Sequence, residues 1–281
     1  MKARIGTALR TEHEEGSKMV MTALDRPTDA GLSSAEQDAF RCNGYLILRG
    51  FADAAQVAAL RIVAEEQLQR EIAPVEYEAD LHYPGAPRSR NAEGGRTVRR
   101  LLQAQSRHPA FTEWLVRAPL THCLHQLLGP EVLMPLAHHN CIMTKQPHFS
   151  SDTAWHQDIR YWSFERPELI NAWLALGPER TDNGCLRLVP GSHRLNFAKQ
   201  QFDAACFFRE DLRENRALLD QAISAELEAG DLLLFHCRTL HAATRNFSEH
   251  TKFSAAFTFR AGDNPPLPGT RSASLPELLL P

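Results

Sequence analysis

The sequence predicts an α+β fold that becomes mainly β, a layer of N-terminal helices supporting an antiparallel sandwich or barrel. Three observations carry that expectation. Helix-start and helix-stop signals recur up to Gly129-Pro130, where the texture changes. From Glu131 onward, short β-prone runs alternate with turn residues. Hydrophobic residues make up 43% and charged residues 23% of the 281, the balance of a chain that buries a large core.

Residues 1–31 are polar and aperiodic and are expected to form a disordered lead, with Met19 and Met21 as alternative starts inside it. Residues 32–281 read as one domain. Ser34 with Gln37 suggests a capping box, and Gly44 a helix stop. Residues 45–49 read as a strand. Asp53 can cap a second helix reaching about Glu71, with Ala55, Leu60, Ile62, Val63 and Leu68 on or near one face. The stretch 73–98 is rich in Pro, Gly and Arg and reads as loop, followed by helices over 109–116 and 118–128. Strands are expected at 132–144, 153–158, 170–176, 185–189, 225–228, 232–236 and 252–259. An insert at 194–224 leans helical over 204–223.

Lysine and arginine (31) against aspartate and glutamate (34) leave a charge of −3, so no single-sign field points to nucleic acid or an anionic membrane. No apolar run approaches the roughly 18 residues of a membrane span. Cysteines at 42, 123, 141, 185, 206 and 237 are widely spaced and form no C-x-x-C pair, so free thiols in a reducing compartment are expected. Without a signal-like start, the expected location is the cytoplasm and the expected partner a small molecule.

Chemistry concentrates in Trp155-His156-Gln157-Asp158. On a strand, His156 and Asp158 point to the same face. They supply two donors of a 2-His-1-carboxylate triad, which leaves positions on iron(II) open for a chelating cosubstrate and O₂. The segment 229–246, AGDLLLFHCRTLHAATRN, offers a third donor. His236 ends an apolar strand and reads as a half-buried histidine bonded to backbone. His241 opens the next segment and is the better ligand.

These runs, with NGCLRLVPGSHR at 183–194 and LSSAEQDAFRCNGYLILRGF at 32–51, resemble the phytanoyl-CoA dioxygenase family of iron(II)/2-oxoglutarate oxygenases over roughly residues 32–260. The resemblance implies a double-stranded β-helix (jelly roll) with catalytic iron ligands at His156, Asp158 and His241. It also implies 2-oxoglutarate and O₂ as cosubstrates, and hydroxylation of a small molecule with release of succinate and CO₂. In the family, an arginine eleven places after the distal histidine grips 2-oxoglutarate; Lys252 stands there, and Ala243 replaces a small hydroxyl residue. Lys145 and the Asn246-x-Ser248 pattern match the family. Lys252, helped by Lys145 or Ser248, is therefore the expected cosubstrate anchor, on a face shared with Ser254, Ala256 and Thr258. Lys252 and Ala243 also favour an alternative, a non-catalytic jelly roll that binds a metal or small molecule.

Tyr161 and Trp162 follow the metal strand and can line the substrate pocket. His193 reads as part of a structural turn and Trp173 as core. On the strand after Leu136, His138 and Asn140 share a face opposite His139. Arg88, Arg90, Arg96, Arg99 and Arg100 face only Glu93 within 88–100. Besides a solvated loop, that pattern fits recognition of an anionic group on the substrate, with Arg99 and Arg100 as its contacts.

Overall fold

The computed structural model describes residues 30–281, so positions 1–29 of the expected lead lie outside the described residues. Helix α1 (Ser34–Asn43) is capped one residue earlier than the pattern suggested. The Ser33 hydroxyl accepts from Glu36 N, and the Glu36 carboxylate accepts from Ser33 N at 2.8 Å. A carboxylate at this position also meets the positive end of the helix dipole, which Gln37 would not. Strand β1 (Tyr45–Leu48) leads to α2 (Ala54–Gln69), capped by Asp53 as expected.

The stretch 73–98 is not all loop. It holds β2 (Val75–Tyr77), which pairs with β3 (Val98–Leu102). Helices α3 (Ala104–Arg107), α4 (Pro109–Leu115) and α5 (Ala118–Leu128) follow. The run 132–144 is two strands, β4 (Val132–Pro135) and β5 (Asn140–Lys145), broken where Pro135 cannot donate to a ladder.

The remaining elements are β6 (Thr153–His156), β7 (Leu169–Ala175), β8 (Leu186–Leu188), α6 (Arg213–Leu219), β9 (Ile223–Ala225), β10 (Leu232–His236), β11 (His241–Ala243), β12 (Lys252–Ala261) and β13 (Glu277–Leu279). The insert is less helical than expected, with one short α-helix. Asp203 Oδ1 accepts from Ala205 N and Phe207 N, a side-chain turn that competes with helix formation.

Two antiparallel sheets form a jelly roll. The larger runs β1-β10-β7-β12-β5-β3-β2, with β4 pairing β12 and β13, and the smaller runs β6-β11-β8-β9. Strand β12 shows how the sequence builds both layers. Phe253, Ala255, Phe257 and Phe259 pack with Leu60, Phe111, Trp114 and Leu124 of the helical layer. Ala256 packs instead with Trp173, Leu186, Leu188 and Phe235 between the sheets. The period of two thus assigns Lys252, Ser254 and Thr258 to the interior between the sheets. Phe257 is fully buried, so truncating it to alanine costs about 3–5 kcal/mol. Among the described residues, no helix is long and apolar enough to cross a membrane.

Candidate metal centre

Strand β6 ends at His156, and Asp158 opens a short 3₁₀ turn. Gln157 stays extended (φ −119, ψ 126), so the side chains of 156 and 158 still leave the chain on one side. Strand β11 pairs with β6 so that His241 lies opposite His156. The ligand atoms of His156, Asp158 and His241 all lie within 4.8 Å of one another.

Backbone carbonyls set the tautomer of both imidazoles. His156 Nδ1 lies 2.8 Å from Ala154 O, and His241 Nδ1 lies 2.9 Å from Thr239 O. A carbonyl only accepts, so each Nδ1 carries the proton and each Nε2 presents a lone pair. Those Nε2 atoms lie 3.5 and 3.7 Å from Asp158 Oδ1. Burial and the neighbouring His156 push His241 down to about 4, which leaves it neutral at pH 7, the form a metal requires. Burial opposes ionisation of Asp158, but His241 and His139 outweigh it and hold the carboxyl well below its usual range. Two imidazoles and a carboxylate suit iron(II) with open positions. Asn171 Nδ2 donates to Asp158 Oδ2 at 2.8 Å, and Thr258 Oγ1 donates to Asn171 Oδ1 at 2.6 Å.

Sequence reasoning left open which histidine of β5's approach faces the site. It is His139, whose Nε2 lies 3.4 Å from Asp158 Oδ1. Burial disfavours its protonated form, but the Asp158 carboxylate wins and pushes it up to about 9. The alternation that brings Cys141, Met143 and Lys145 inward along β5 was the signal for it.

Tyr161 and Trp162 both lie against histidines of this cluster. The Tyr161 ring lies 6.0 Å from that of His156, and Trp162 lies 5.4 Å from His139. Phe207 of the insert meets His156 edge-on at 6.0 Å and Tyr83 at 5.5 Å. The Tyr161 hydroxyl donates to Ala205 O at 2.8 Å, tying the insert to the metal strand. Tyr83, Ala154, Asp203, Phe207 and Arg209 line a hollow of about 400 Å³.

The expected cosubstrate residues are placed differently. Lys252 is buried and its Nζ lies 2.9 Å from Glu179 Oε2. Lys145 Nζ donates to Ser151 O at 2.8 Å, and burial, with Arg99 and Lys252 near, holds its amine well below the usual range. Ser248 sits in the turn between β11 and β12, where its hydroxyl donates to Asn246 Oδ1 at 2.8 Å. The Asn246 amide in turn donates to Lys145 O and His250 O. The N-x-S pattern thus shapes a turn, and Ser248 is committed there.

The five arginines do not form one anion site. Arg90 pairs with Asp80 and Arg96 with Glu71 at the surface. Arg99, with a side chain 2% exposed, donates to Glu78, Ser151 and Thr153 and clamps β3 to β6, which removes it as a substrate contact. Arg88 is exposed, and Arg100 pairs with Glu76, its Nη1 3.4 Å from Glu76 Oε1, while its buried Nε has no hydrogen-bond partner. His193 is structural, with its Nε2 3.2 Å from Arg41 O. Ser192 in the same turn accepts from Leu240 N at 2.9 Å, which fixes the approach to His241.

The sequence pattern of the family described as phytanoyl-CoA dioxygenase (PhyH) matches residues 40–254. The ectoine dioxygenase of Halomonas elongata is 27% identical over 252 residues, covering 84% of this chain and 72% of that one. Human peroxisomal phytanoyl-CoA dioxygenase is 22% identical over 232 residues, covering 79% and 66%. Among solved structures, EctD from S. alaskensis with 2-oxoglutarate and 5-hydroxyectoine superposes at a TM-score of 0.70, with 21% identity and coverage of 86% and 81%. The 2-oxoglutarate-dependent carbocyclase SnoK from nogalamycin biosynthesis gives 0.68, with 20% identity and coverage of 92% and 100%.

Proposed function

The chain belongs to the phytanoyl-CoA dioxygenase family of iron(II)/2-oxoglutarate oxygenases, and we propose that it hydroxylates an unactivated C–H bond of a small molecule. The observation that carries this reading is the convergence of His156, Asp158 and His241, whose ligand atoms all lie within 4.8 Å of one another. His156, Asp158 and His241 are the proposed iron ligands. Iron(II) held there with 2-oxoglutarate and O₂ supplies the oxidising chemistry, with succinate and CO₂ as by-products.

The chain's own residues orient and protect that chemistry. The Ala154 and Thr239 carbonyls keep both imidazoles in the metal-binding tautomer. Asn171 fixes the plane of the Asp158 carboxylate and leaves Oδ1 toward the imidazoles. Substrate enters between Tyr161, Trp162, Tyr83 and Phe207, aromatic rings that cover apolar surface and exclude water. Asp158 supplies a carboxylate at the position that halogenases of this chemistry leave vacant for chloride, which favours hydroxylation.

The test is turnover of 2-oxoglutarate with iron(II) across a panel of cyclic amino acids, acyl-CoA thioesters and polyketide intermediates. A true substrate stimulates succinate release and gains one oxygen atom by mass, and His241→Ala abolishes both. Metal binding with no 2-oxoglutarate consumption under any condition overturns the reading and favours a binding protein. A chlorinated product in the presence of chloride overturns hydroxylation.

A further inference from the structure

His236 ends β10 and His241 opens β11, and the turn between them reaches both ligand segments of the metal centre. Each carbonyl from His236 to Thr239 accepts a hydrogen bond. His236 O takes Thr239 N at 2.8 Å, which closes the turn. Cys237 O takes Ile159 N at 3.1 Å, and Arg238 O takes Gln157 Nε2, so the turn grips the residues on both sides of Asp158. Arg160 Nε donates to Gln157 Oε1 at 3.1 Å, which fixes that amide with its NH₂ toward Arg238 O. Thr239 O faces His241 Nδ1 at 2.9 Å. Gln157, Asp158, Thr239 and His241 are all buried, so water does not replace a bond lost among them.

The shape of this turn depends on the His236 ring. Arg238 N donates to His236 Nδ1 at 3.1 Å. A backbone N–H only donates, so Nδ1 carries a lone pair and the neutral ring holds its proton on Nε2. That tautomer is opposite to the one the carbonyls impose on His156 and His241. Two imidazoles therefore offer Nε2 to a metal, while the third spends its lone pair on the turn. The peptide joining Cys237 to Arg238 is planar, so the bond that fixes Arg238 N also fixes the Cys237 carbonyl beside Ile159. The other side of the turn is tied to the end of α1, where Gly44 O accepts from His236 N at 2.8 Å and from Thr239 Oγ1 at 2.9 Å.

We propose that His236 is a positioning residue of the metal centre, acting through the turn it latches and not as a ligand. Without an acceptor at Nδ1, the Cys237–Arg238 peptide is free to rotate, and its carbonyl leaves Ile159 N, next to Asp158. The displacement passes along the turn to Thr239 O, which orients His241. His236 thus couples the carboxylate and the distal imidazole, which come from separate strands. The inference rests on the proposed metal reading of His156, Asp158 and His241, and its test separates the two.

The experiment titrates cobalt(II) into the full chain, followed by its visible absorption, with thermal melting on the same samples. His236→Leu removes the acceptor and should weaken cobalt about 10–100-fold, the range for an outer partner of a metal site. His236→Asn places Oδ1 where Nδ1 was and should bind within about threefold of wild type. Thr239→Val, which removes the bond to Gly44 O, should weaken cobalt about threefold or more. Leu60→Ala, a destabilising change in α2 far from the turn, should melt lower yet bind within about twofold of wild type. Binding like wild type in His236→Leu overturns the proposal; if that variant does not fold, binding like wild type in Thr239→Val does so. Equal losses in His236→Leu and His236→Asn also overturn it, since the restored acceptor then counts for nothing. So does an equal loss in Leu60→Ala, which would report stability alone. Absence of cobalt binding in the wild type removes the metal reading itself, and this inference with it.

Discussion

Lys252 and Glu179, 73 positions apart in sequence, form an ion pair 2.9 Å long with both side chains at most 2% exposed. Removing one member of such a pair leaves a buried charge without a counterion, which typically costs 3–5 kcal/mol. Lys252→Met should therefore lower the free energy of unfolding by about that amount. Adding Glu179→Gln should recover most of it, because glutamine keeps an acceptor for Trp173 and Ser254 without the charge. Paired denaturation curves decide this. A single variant as stable as wild type would mean that water reaches the pair.

Gly184 gives a second prediction. Its φ is +78°, and a Cβ there would lie 2.4 Å from Thr244 O and 2.8 Å from Lys145 Cδ. Thr244 follows the strand that carries His241, so the backbone contact transmits any shift to the metal side. Gly184→Ala should destabilise the fold by at least about 1 kcal/mol and weaken metal binding in parallel. Thermal melting and a metal titration on the same sample check it, and an unperturbed variant would show that β11 yields freely.

The sequence carried the local parts of this structure well and the long-range parts poorly. Asp53 as a cap, the strand at 232–236 and the order of the His156, Asp158 and His241 segments were all readable, because capping chemistry and strand alternation are short-range. His139 was not singled out, since its inward direction depends on the register of β5 against β12. The engagement of Lys252 by Glu179 was invisible, because no local pattern links residues on separate strands and loops. Arg99 misled for a related reason. Its bulge, set by pairing with β2, sends it to β6. The Asp203 turn overrode a helix-leaning composition in the insert.

Stability should fall in mild acid, and His236 is a named cause. Burial, followed by the nearby His193 and Arg238, lowers its pKa to about 3. Its Nδ1 accepts from Arg238 N at 3.1 Å, a bond that protonation would remove. In the unfolded chain a histidine titrates near 6.5, so between these values the unfolded state binds the extra proton. The stabilisation is complete above about pH 6.5 and is lost as pH falls toward 3. At pH 5 this single group should contribute about 1–2 kcal/mol less than at pH 8. His236→Asn, which keeps an acceptor, should flatten the acid side of the stability curve. A curve of unchanged slope would assign the loss elsewhere.

Asn171 is expected to set metal affinity without touching the metal. Its Nδ2 donates to Asp158 Oδ2, and Thr258 fixes which way the amide points by donating to Asn171 Oδ1. All three groups are buried, so no solvent replaces a missing donor. Asn171→Ala should free the carboxylate to rotate and lower metal affinity about 10–100-fold, the range seen when an outer partner of a metal ligand is lost. Thr258→Val should have a smaller effect of the same sign, since it only releases the amide to flip. Asn171→Asp should be the most damaging, because it sets a second carboxylate against Asp158 and repels it. Titration with cobalt(II), followed by its visible absorption, ranks the three variants without requiring a substrate. If all three bind cobalt as wild type does, Asp158 is held by the strand geometry alone and the amide has no part in the site.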